Sequence, residues 1–388
     1  MMWNDIKAVF LRELDLWRLR PIYYLGPLGI MIFCAAFYLT FLGEGLPSDL
    51  PIAIVDNDNS SLSRNFTRQL DATQLGKVVH YEDYTSARAD MQRGKITSIC
   101  IIPSGFYSDV QANRQPKMTV YFNGLYFVGG ALSYQDLLTM LNLTSGAVHR
   151  EVLRAKGVDP RLIDGMIRPL DIDAHKIGNP LTSYNECLSP NMLPGTLQMV
   201  IILLLIYSLG TEMKYSTSTD LMNTAGGSIC AAIAGKLLLF TIFYTLLGFL
   251  VETLLYTWMH FPLAGSILNM MLDMFLLVLA SEAVAVFIIG LFPICRFALS
   301  VGALFCVLSL SLTGFTLPVE AMPRILNGFT YMFPLRHYYL FEVQEAFYGS
   351  GFAGWWQEAL WLLAFLIPPF FLLPRLKSAY INQDYPKN

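Results

Sequence analysis

Charge is what this 388-residue chain has least of. Only 14% of its residues are Asp, Glu, Lys or Arg, where soluble domains carry about 25%. With 54% hydrophobic residues, 13% aromatics and a mean hydropathy of +0.47, a purely water-soluble protein is excluded. A net charge of −3 offers no basic surface for nucleic acid. The six cysteines show no paired C-x-x-C spacing, which argues against a zinc site. No Ser/His/Asp set with recognisable spacing is present, so nothing marks an enzyme. A phosphate-binding G-x-x-x-x-G-K-[ST] loop is missing too. Its nearest approach, Gly235-Lys236-Leu237, has Cys230 at the first Gly and Leu where Ser or Thr would ligate magnesium.

The charge that is present is unevenly spread. Residues 43–192 hold 14 Lys/Arg and 16 Asp/Glu, more than half of the total, and read as a water-soluble segment set inside a membrane protein. Outside it lie six apolar runs at about 22–42, 193–210, 237–259, 267–292, 297–317 and 355–374. Each is close to the ~20 helical residues that cross a hydrocarbon core. Tyr23, Tyr24, Trp258, Trp355 and Trp356 stand near their ends, where aromatics anchor at the interface.

Lys and Arg near the spans set the orientation. With the N-terminus in the cytoplasm, ten basic residues fall inside and only Arg324 and Arg336 fall outside. Both ends are therefore expected in the cytoplasm. The first span is longer than the ~7–15 residues of a signal peptide core and lacks an A-x-A-like site, so it reads as an uncleaved anchor. Residues 1–21 carry Trp3, Ile6, Phe10, Leu14 and Trp17 at helical spacing, as in a helix lying in the cytoplasmic interface.

Within the soluble segment strands and helices alternate. Strands are expected at 51–55, 77–81, 96–102 and 118–122, with helices at 61–70, 86–93 and 106–113. This pattern argues for a small α/β domain with a partly parallel sheet. A long helical stretch, 129–155, follows; 167–177 is a further candidate strand, and 179–194 reads as the linker back to the membrane. Asp56, Asp58 and Ser60 look like the start of a calcium loop. Ser61 and Thr67 replace its Gly and Glu, so helix capping accounts for them better. Cys100 and Cys187 both fall in this segment, where a disulfide is permitted.

Glu252, Asp273 and Glu282 interrupt the apolar runs, at a cost of about 2.5–3.5 kcal/mol each on insertion scales. Glu252 and Asp273 lie toward the outer ends of spans three and four, where an interfacial position would cost less. Glu282 is mid-span, and so is a candidate for the translocation path or a buried structural bond. Nine residues separate it from Asp273, about 900° of helix, so the two point to opposite faces. Residues 318–354 are rich in Pro, Gly and aromatics, as in short re-entrant or surface helices. Tyr331, Phe333, Tyr338, Tyr339, Phe341, Phe347 and Tyr348 are expected there as interfacial anchors or as the lining of an exit.

Several stretches resemble the permease subunit of an ABC-2 type exporter, in the branch with a large outer domain between spans one and two. They are Arg12-Glu13-Leu14 with Arg18 to Pro21; Ile54 to Ser63; Arg93-Gly94-Lys95 with Ile101 to Phe106; Leu193-Pro194-Gly195; Gly210-Thr211-Glu212 through Gly235-Lys236; Leu312 to Phe315; Leu317 to Pro323; and Phe333-Pro334-Leu335. The resemblance runs from about residue 6 to 375. It implies ATP-driven export, with two permeases, as a homodimer or with a paralogue, and two cytoplasmic ATP-binding subunits. ATP and magnesium would be bound by that partner, and no cofactor by this chain. It also implies a coupling helix in the loop after span two, 212–224, where Glu212, Lys214, Thr217 and Asp220 would meet the ATPase together with Arg12 and Glu13 of the N-terminal helix. Ser216 to Ser218 would cap this short helix, and Ala225-Gly226-Gly227 would permit a sharp return. A periplasmic adaptor is a further partner that the resemblance suggests.

The expected fold is thus an α-helical polytopic membrane protein with six transmembrane helices and an inserted extracytoplasmic α/β domain. Its parts are an interfacial helix (1–21), span one (22–42), the α/β domain (43–192), spans two to six (193–374) and a cytoplasmic tail (375–388). The expected function is export of a hydrophobic or amphipathic drug, lipid or envelope precursor across a bacterial inner membrane. The alternative is a non-transporting receptor or scaffold of the same fold whose outer domain binds a partner.

Overall fold

The computed structural model describes residues 2–382 apart from 44, 46, 75, 113, 126, 168–174, 176–177, 180–182 and 316. The chain forms two compact units, Glu44–His175 and Met1–Gly43 with Lys176–Asn388.

Before the inserted unit come α1 (Met2–Leu19) and α2 (Ile22–Phe41). The inserted unit then alternates β1 (Leu50–Asp56), α3 (Ser61–Asp71), β2 (Gly76–His80), α4 (Tyr84–Gln92), β3 (Ser98–Ile102), α5 (Phe106–Gln111) and β4 (Thr119–Phe122), followed by α6 (Phe127–Ala155) and α7 (Pro160–Ile167). Its sheet has the order β2-β1-β3-β4. β1 runs parallel to β2 and β3, and β4 is antiparallel to β3. The run Ile52-Ala53-Ile54-Val55 is apolar without alternation because helices cover both faces of the parallel strands. Ile52 and Ile54 pack with Phe66, Leu70, Phe106 and Leu137, while Ala53 and Val55 pack with Ala87, Ile96 and Ile99.

The Asp56 to Ser60 turn is built by capping. Asp56 Oδ1 accepts from the amides of Asp58 and Asn59, both at 3.0 Å, and Ser60 Oγ accepts from Ser63 N at 3.1 Å. The expected strand at 167–177 begins on Ile167, the last residue of α7; most of the remainder lies outside the described residues.

The second unit continues with α8 (Tyr184–Lys214), α9 (Ser218–Thr224), α10 (Ile229–Glu252), α11 (Ile267–Leu291), α12 (Cys295–Leu312), α13 (Arg324–Thr330), α14 (Pro334–Glu342), α15 (Phe352–Ala364) and α16 (Pro368–Asn382). Among the described residues six helical segments are long and apolar enough to cross a membrane, the last being α15 and α16 taken together. The apolar windows of α8 and α11 are 72% and 78% buried against 17% for α2 and 28% for α12. α8 and α11 are therefore the inner helices, and α2 and α12 leave broad apolar faces uncovered within this chain.

Several expectations need correction. The second half of the expected linker is helix: α8 starts at Tyr184 and runs through Pro190 and Pro194. Buried surroundings offset the backbone bonds that these prolines remove. Cys187 accordingly sits on α8 rather than in the α/β unit, and all six cysteines are free. Cys100 is enclosed in β3, where burial, with the charge of Asp56, pushes its thiol up to about 12.

The aromatics of the expected interface are partly core instead. Tyr23 and Trp355 are buried, as are Phe333, Tyr338 and Phe341 of the 318–354 segment, whereas Trp258 and Tyr348 are exposed. Arg336 of the same segment is buried as well; its Nη1 donates to Thr313 O at 3.1 Å. Glu252 and Asp273, expected at an interface, have no exposed surface at all.

Candidate functional site

α1 does more than lie flat. Val9, Glu13 and Trp17 recur every four residues, so one stripe of the helix is buried. That stripe packs along α10, where Trp17 meets Phe240 and Phe243 edge-on with centroids at 5.0 and 5.3 Å. Gly235 allows the approach, because a Cβ there would stand 2.7 Å from both Ile6 O and Val9 Cβ. One turn beyond Val9 the stripe presents Glu13, and one residue beyond Gly235 the facing helix presents Lys236.

These two meet Arg12 and Glu212 in a buried tetrad. Lys236 Nζ donates to Glu13 Oε1 at 2.8 Å and to Glu212 Oε1 at 2.9 Å. The Arg12 guanidinium is bidentate on Glu212, with both bonds at 2.9 Å, and donates to Glu13 Oε1 at 3.0 Å. Thr217 Oγ1 adds a bond to Glu212 Oε2 at 2.6 Å. Lys236, Glu13 and Glu212 are buried, and Arg12 is partly so. Two cations and two carboxylates balance, which is the condition for holding ions out of water. Burial works against the charge of Arg12. Its bond to Glu212 and the charges of Glu212, Glu13 and Asp220 more than offset this and hold the guanidinium above its ordinary pKa.

The tetrad fixes a turn. Glu212 is in the last turn of α8, and Thr217 leads into α9, so their bond closes the connection between the two helices. Ser216 takes a left-handed φ of 57° within it. Ser216 to Ser218 do not cap α9 as expected: Thr217 is the N-cap residue but makes no side-chain cap bond, since its hydroxyl serves Glu212. Ser218 Oγ donates instead to Tyr380 O at 2.8 Å, and Tyr380 Oη donates to Leu209 O at 3.1 Å, sewing α16 to α8 and α9. After α9, Gly226 and Gly227 at φ 59° and 77° make the sharp return into α10.

Of the residues singled out in the sequence, Arg12, Glu13, Glu212 and Thr217 are brought together. Lys214 and Asp220 are not. Lys214 is exposed, with Nζ 5.4 Å from the centre of the Tyr215 ring, and Asp220 is exposed in the first turn of α9. Sequence reasoning named Lys236 as an orientation-setting cation, in a failed phosphate loop and at the end of a stretch resembling the family, but not among the coupling residues. Its signal was present as the one basic residue of α10, inside a helix whose other charge is Glu252.

Glu282 stands apart from the tetrad, 2% exposed on α11, with Oε2 2.6 Å from Thr241 Oγ1. A third group, of acids and tyrosines, joins the ends of α10 and α14. Tyr338 Oη donates to Glu252 at 2.8 Å, and Tyr256 Oη donates to Glu342 at 3.0 Å. The two pairs are reciprocal, because Glu252 and Tyr256 lie four residues apart at and just beyond the end of α10, as Tyr338 and Glu342 do in α14. Each Glu is followed directly by a π-helical turn, Thr253–Trp258 and Val343–Phe347.

Lys236, nearest in sequence to a nucleotide-binding lysine, has its ammonium engaged by two carboxylates. The tetrad ties α1, the α8–α9 turn and α10 to one another through charged hydrogen bonds.

Comparison with known families agrees with this architecture. The profile of the family described as "ABC-2 family transporter protein" matches residues 18–373. No curated protein matches the chain. The profile covers nearly the whole length and both units, and the chain therefore belongs to the ABC-2 transporter family of multi-pass membrane proteins.

Proposed function

We propose that this chain is the permease subunit of an ATP-driven exporter of the bacterial inner membrane, with both termini in the cytoplasm. It works with a separate cytoplasmic ATP-binding subunit, which holds ATP and magnesium, and with a second permease, and it moves a hydrophobic or amphipathic compound outward. The observation that carries this reading is the tetrad of Arg12, Glu13, Glu212 and Lys236. It locks the α8–α9 turn to two further helices, so a push on α9 is transmitted to α1 and α10 rather than absorbed by a loop. Lys214, Asp220 and Asn223 are exposed on and beside α9 and supply the face that an ATP-binding subunit would grip.

The test is purification of the full chain with its native neighbours. An ATP-binding subunit should co-purify, with vanadate-sensitive ATP hydrolysis. Reversing the exposed charges with Lys214→Glu and Asp220→Lys should weaken its capture about tenfold, the effect of losing about 1.4 kcal/mol, while the chain melts as before. Recovery of no ATP-binding subunit would overturn the reading in favour of a non-transporting receptor or scaffold. A periplasmic adaptor, if used, would co-purify through the inserted unit.

A further inference from the structure

A cavity of about 320 Å³ lies between α10, α11 and the break separating α15 from α16. That is the low end of the ~300–1,000 Å³ typical of small-molecule sites. Its wall is apolar except at two residues, Thr241 and Glu282. Leu238 and Phe370 are exposed where the cavity opens to the outside of the helices. Glu282 lies nine residues from the end of α11, about 13 Å of helix rise, at a depth where acyl chains and not headgroups surround the protein.

Glu282 Oε2 is engaged by Thr241, while Oε1 is buried and has no hydrogen-bond partner among the described residues. Thr241 Oγ1 is also 3.0 Å from Leu237 O, and a hydroxyl has one proton to give. If that proton goes to Glu282 and the carboxyl is ionised, Oε1 is an acceptor; a neutral acid in that arrangement carries its proton on Oε1 and presents an unpaired donor instead. If it goes to Leu237 O, the acid Oε2–H donates to Thr241, and Oε1 is again an acceptor. In the two states in which Oε1 is an acceptor the site lacks a donor, and in the ionised state it also lacks a positive charge. A neutral alcohol would satisfy the first need only, whereas an ammonium satisfies both through a charge-assisted bond.

We propose that this cavity binds a lipophilic amine, with its apolar body against the wall of α10, α11 and α16 and its ammonium on Glu282. The inference rests on the exporter reading only in naming the class of compound that reading would move. The binding itself needs neither ATP nor a partner. Thr241 lies five residues beyond Lys236 on α10, about 7.5 Å of helix rise, so an occupant presses on the helix that the tetrad grips.

The test is equilibrium titration of the full chain, in phosphatidylcholine nanodiscs without ATP, with dansylcadaverine. The control ligand is the dansyl pentylamide, which has the same body and no terminal amine. The amine should bind saturably, and Glu282→Gln should weaken it at least about tenfold, the loss of a charge-assisted bond. The neutral amide should bind weakly and equally to both proteins. Ala234→Phe, at an exposed residue of the wall, should abolish amine binding by filling the cavity without touching Glu282, and it decides the matter should Glu282→Gln fail to fold. Equal titration of amine and amide, or amine binding indifferent to both substitutions, would overturn the proposal. Amine binding by a chain that never recruits an ATP-binding subunit would sink the exporter reading and leave the cavity standing; an ATPase partner without amine binding would do the reverse.

Discussion

The membrane unit buries charged residue types in two ways. In the tetrad, two cations meet two carboxylates, and every ionised group is hydrogen-bonded by another. At the junction of α10, α11 and α14, Glu252, Asp273 and Glu342 are equally buried, yet their bonds come from tyrosine hydroxyls alone. Glu252 Oε2, Glu342 Oε2 and both oxygens of Asp273 have no hydrogen-bond partner among the described residues. The difference lies in closure. A compensated set is a rigid clamp, because removing one member strands the others. Loss of an acid from the uncompensated set strands no charge: Glu252 and Glu342 would each leave a tyrosine hydroxyl, and Asp273 nothing among the described residues.

The sharpest way to break this comparison is Lys236→Met. Two carboxylates would lose their shared cation, and breaking a buried pair costs about 3–5 kcal/mol. The full chain in detergent micelles should melt far below the wild type, and Glu13→Gln in the same chain should restore part of the loss. A melt like the wild type's would show that the clamp holds nothing. Arg12→Lys keeps the charge but gives up the two-pronged grip on Glu212, and should cost about 1.5–3 kcal/mol, the range for hydrogen bonds to charged groups.

The inserted unit provides a milder contrast, since its charges face water. Ser60→Ala removes the cap of α3 and should cost about 1 kcal/mol, read as faster amide exchange confined to α3 and its neighbours. Acid should act there by the same logic. The bond from Ser60 and backbone amides near Tyr107 holds Asp58 below the usual carboxylate range, Ser86 does so for Asp83, and Lys95, with Tyr81 and Arg93, for Asp90. These carboxyls bind protons more weakly when folded. Their stabilising effect is complete above the ordinary carboxylate range and is lost as pH falls through that range toward the depressed values. Exchange corrected for its intrinsic rate should therefore rise in this unit between pH 5 and pH 3; a flat profile would deny these contacts any share in stability. Smallest of all should be Asp273→Asn, which strands no cation and breaks no bond. Its melting curve should stay within about 1 kcal/mol of the wild type's, and a loss as large as that of Lys236→Met would show that the acid group is closed after all.

Much of the architecture was legible from local pattern. Six apolar runs became six candidate spans, and the unbroken run Ile52 to Val55 became a strand covered on both faces. Arg12, Glu13 and Glu212 were reached through resemblance to the family, not through any property of the residues themselves. Where local pattern misled, the cause was tertiary. Tyr23 and Trp355 have the composition of interfacial anchors and are buried, Tyr23 against Trp17 and Phe240 and Trp355 against Phe341.

Hydropathy sums over some twenty neighbouring residues, so the sequence alone determined that this chain enters a membrane, and roughly where. The partners of a buried charge depend instead on which helices are neighbours and on how each is rotated, at 100° per residue. Arg12 and Glu212 are 200 residues apart, and Lys236 and Glu13 are 223 apart. No local sum contains such pairs. Only the packing of α1 against α10, made close by Gly235, turned Lys236 from one cation among ten into the centre of the clamp. Likewise only the packing of α10, α11 and the broken last span turned Glu282 from an isolated acid into the polar floor of a cavity.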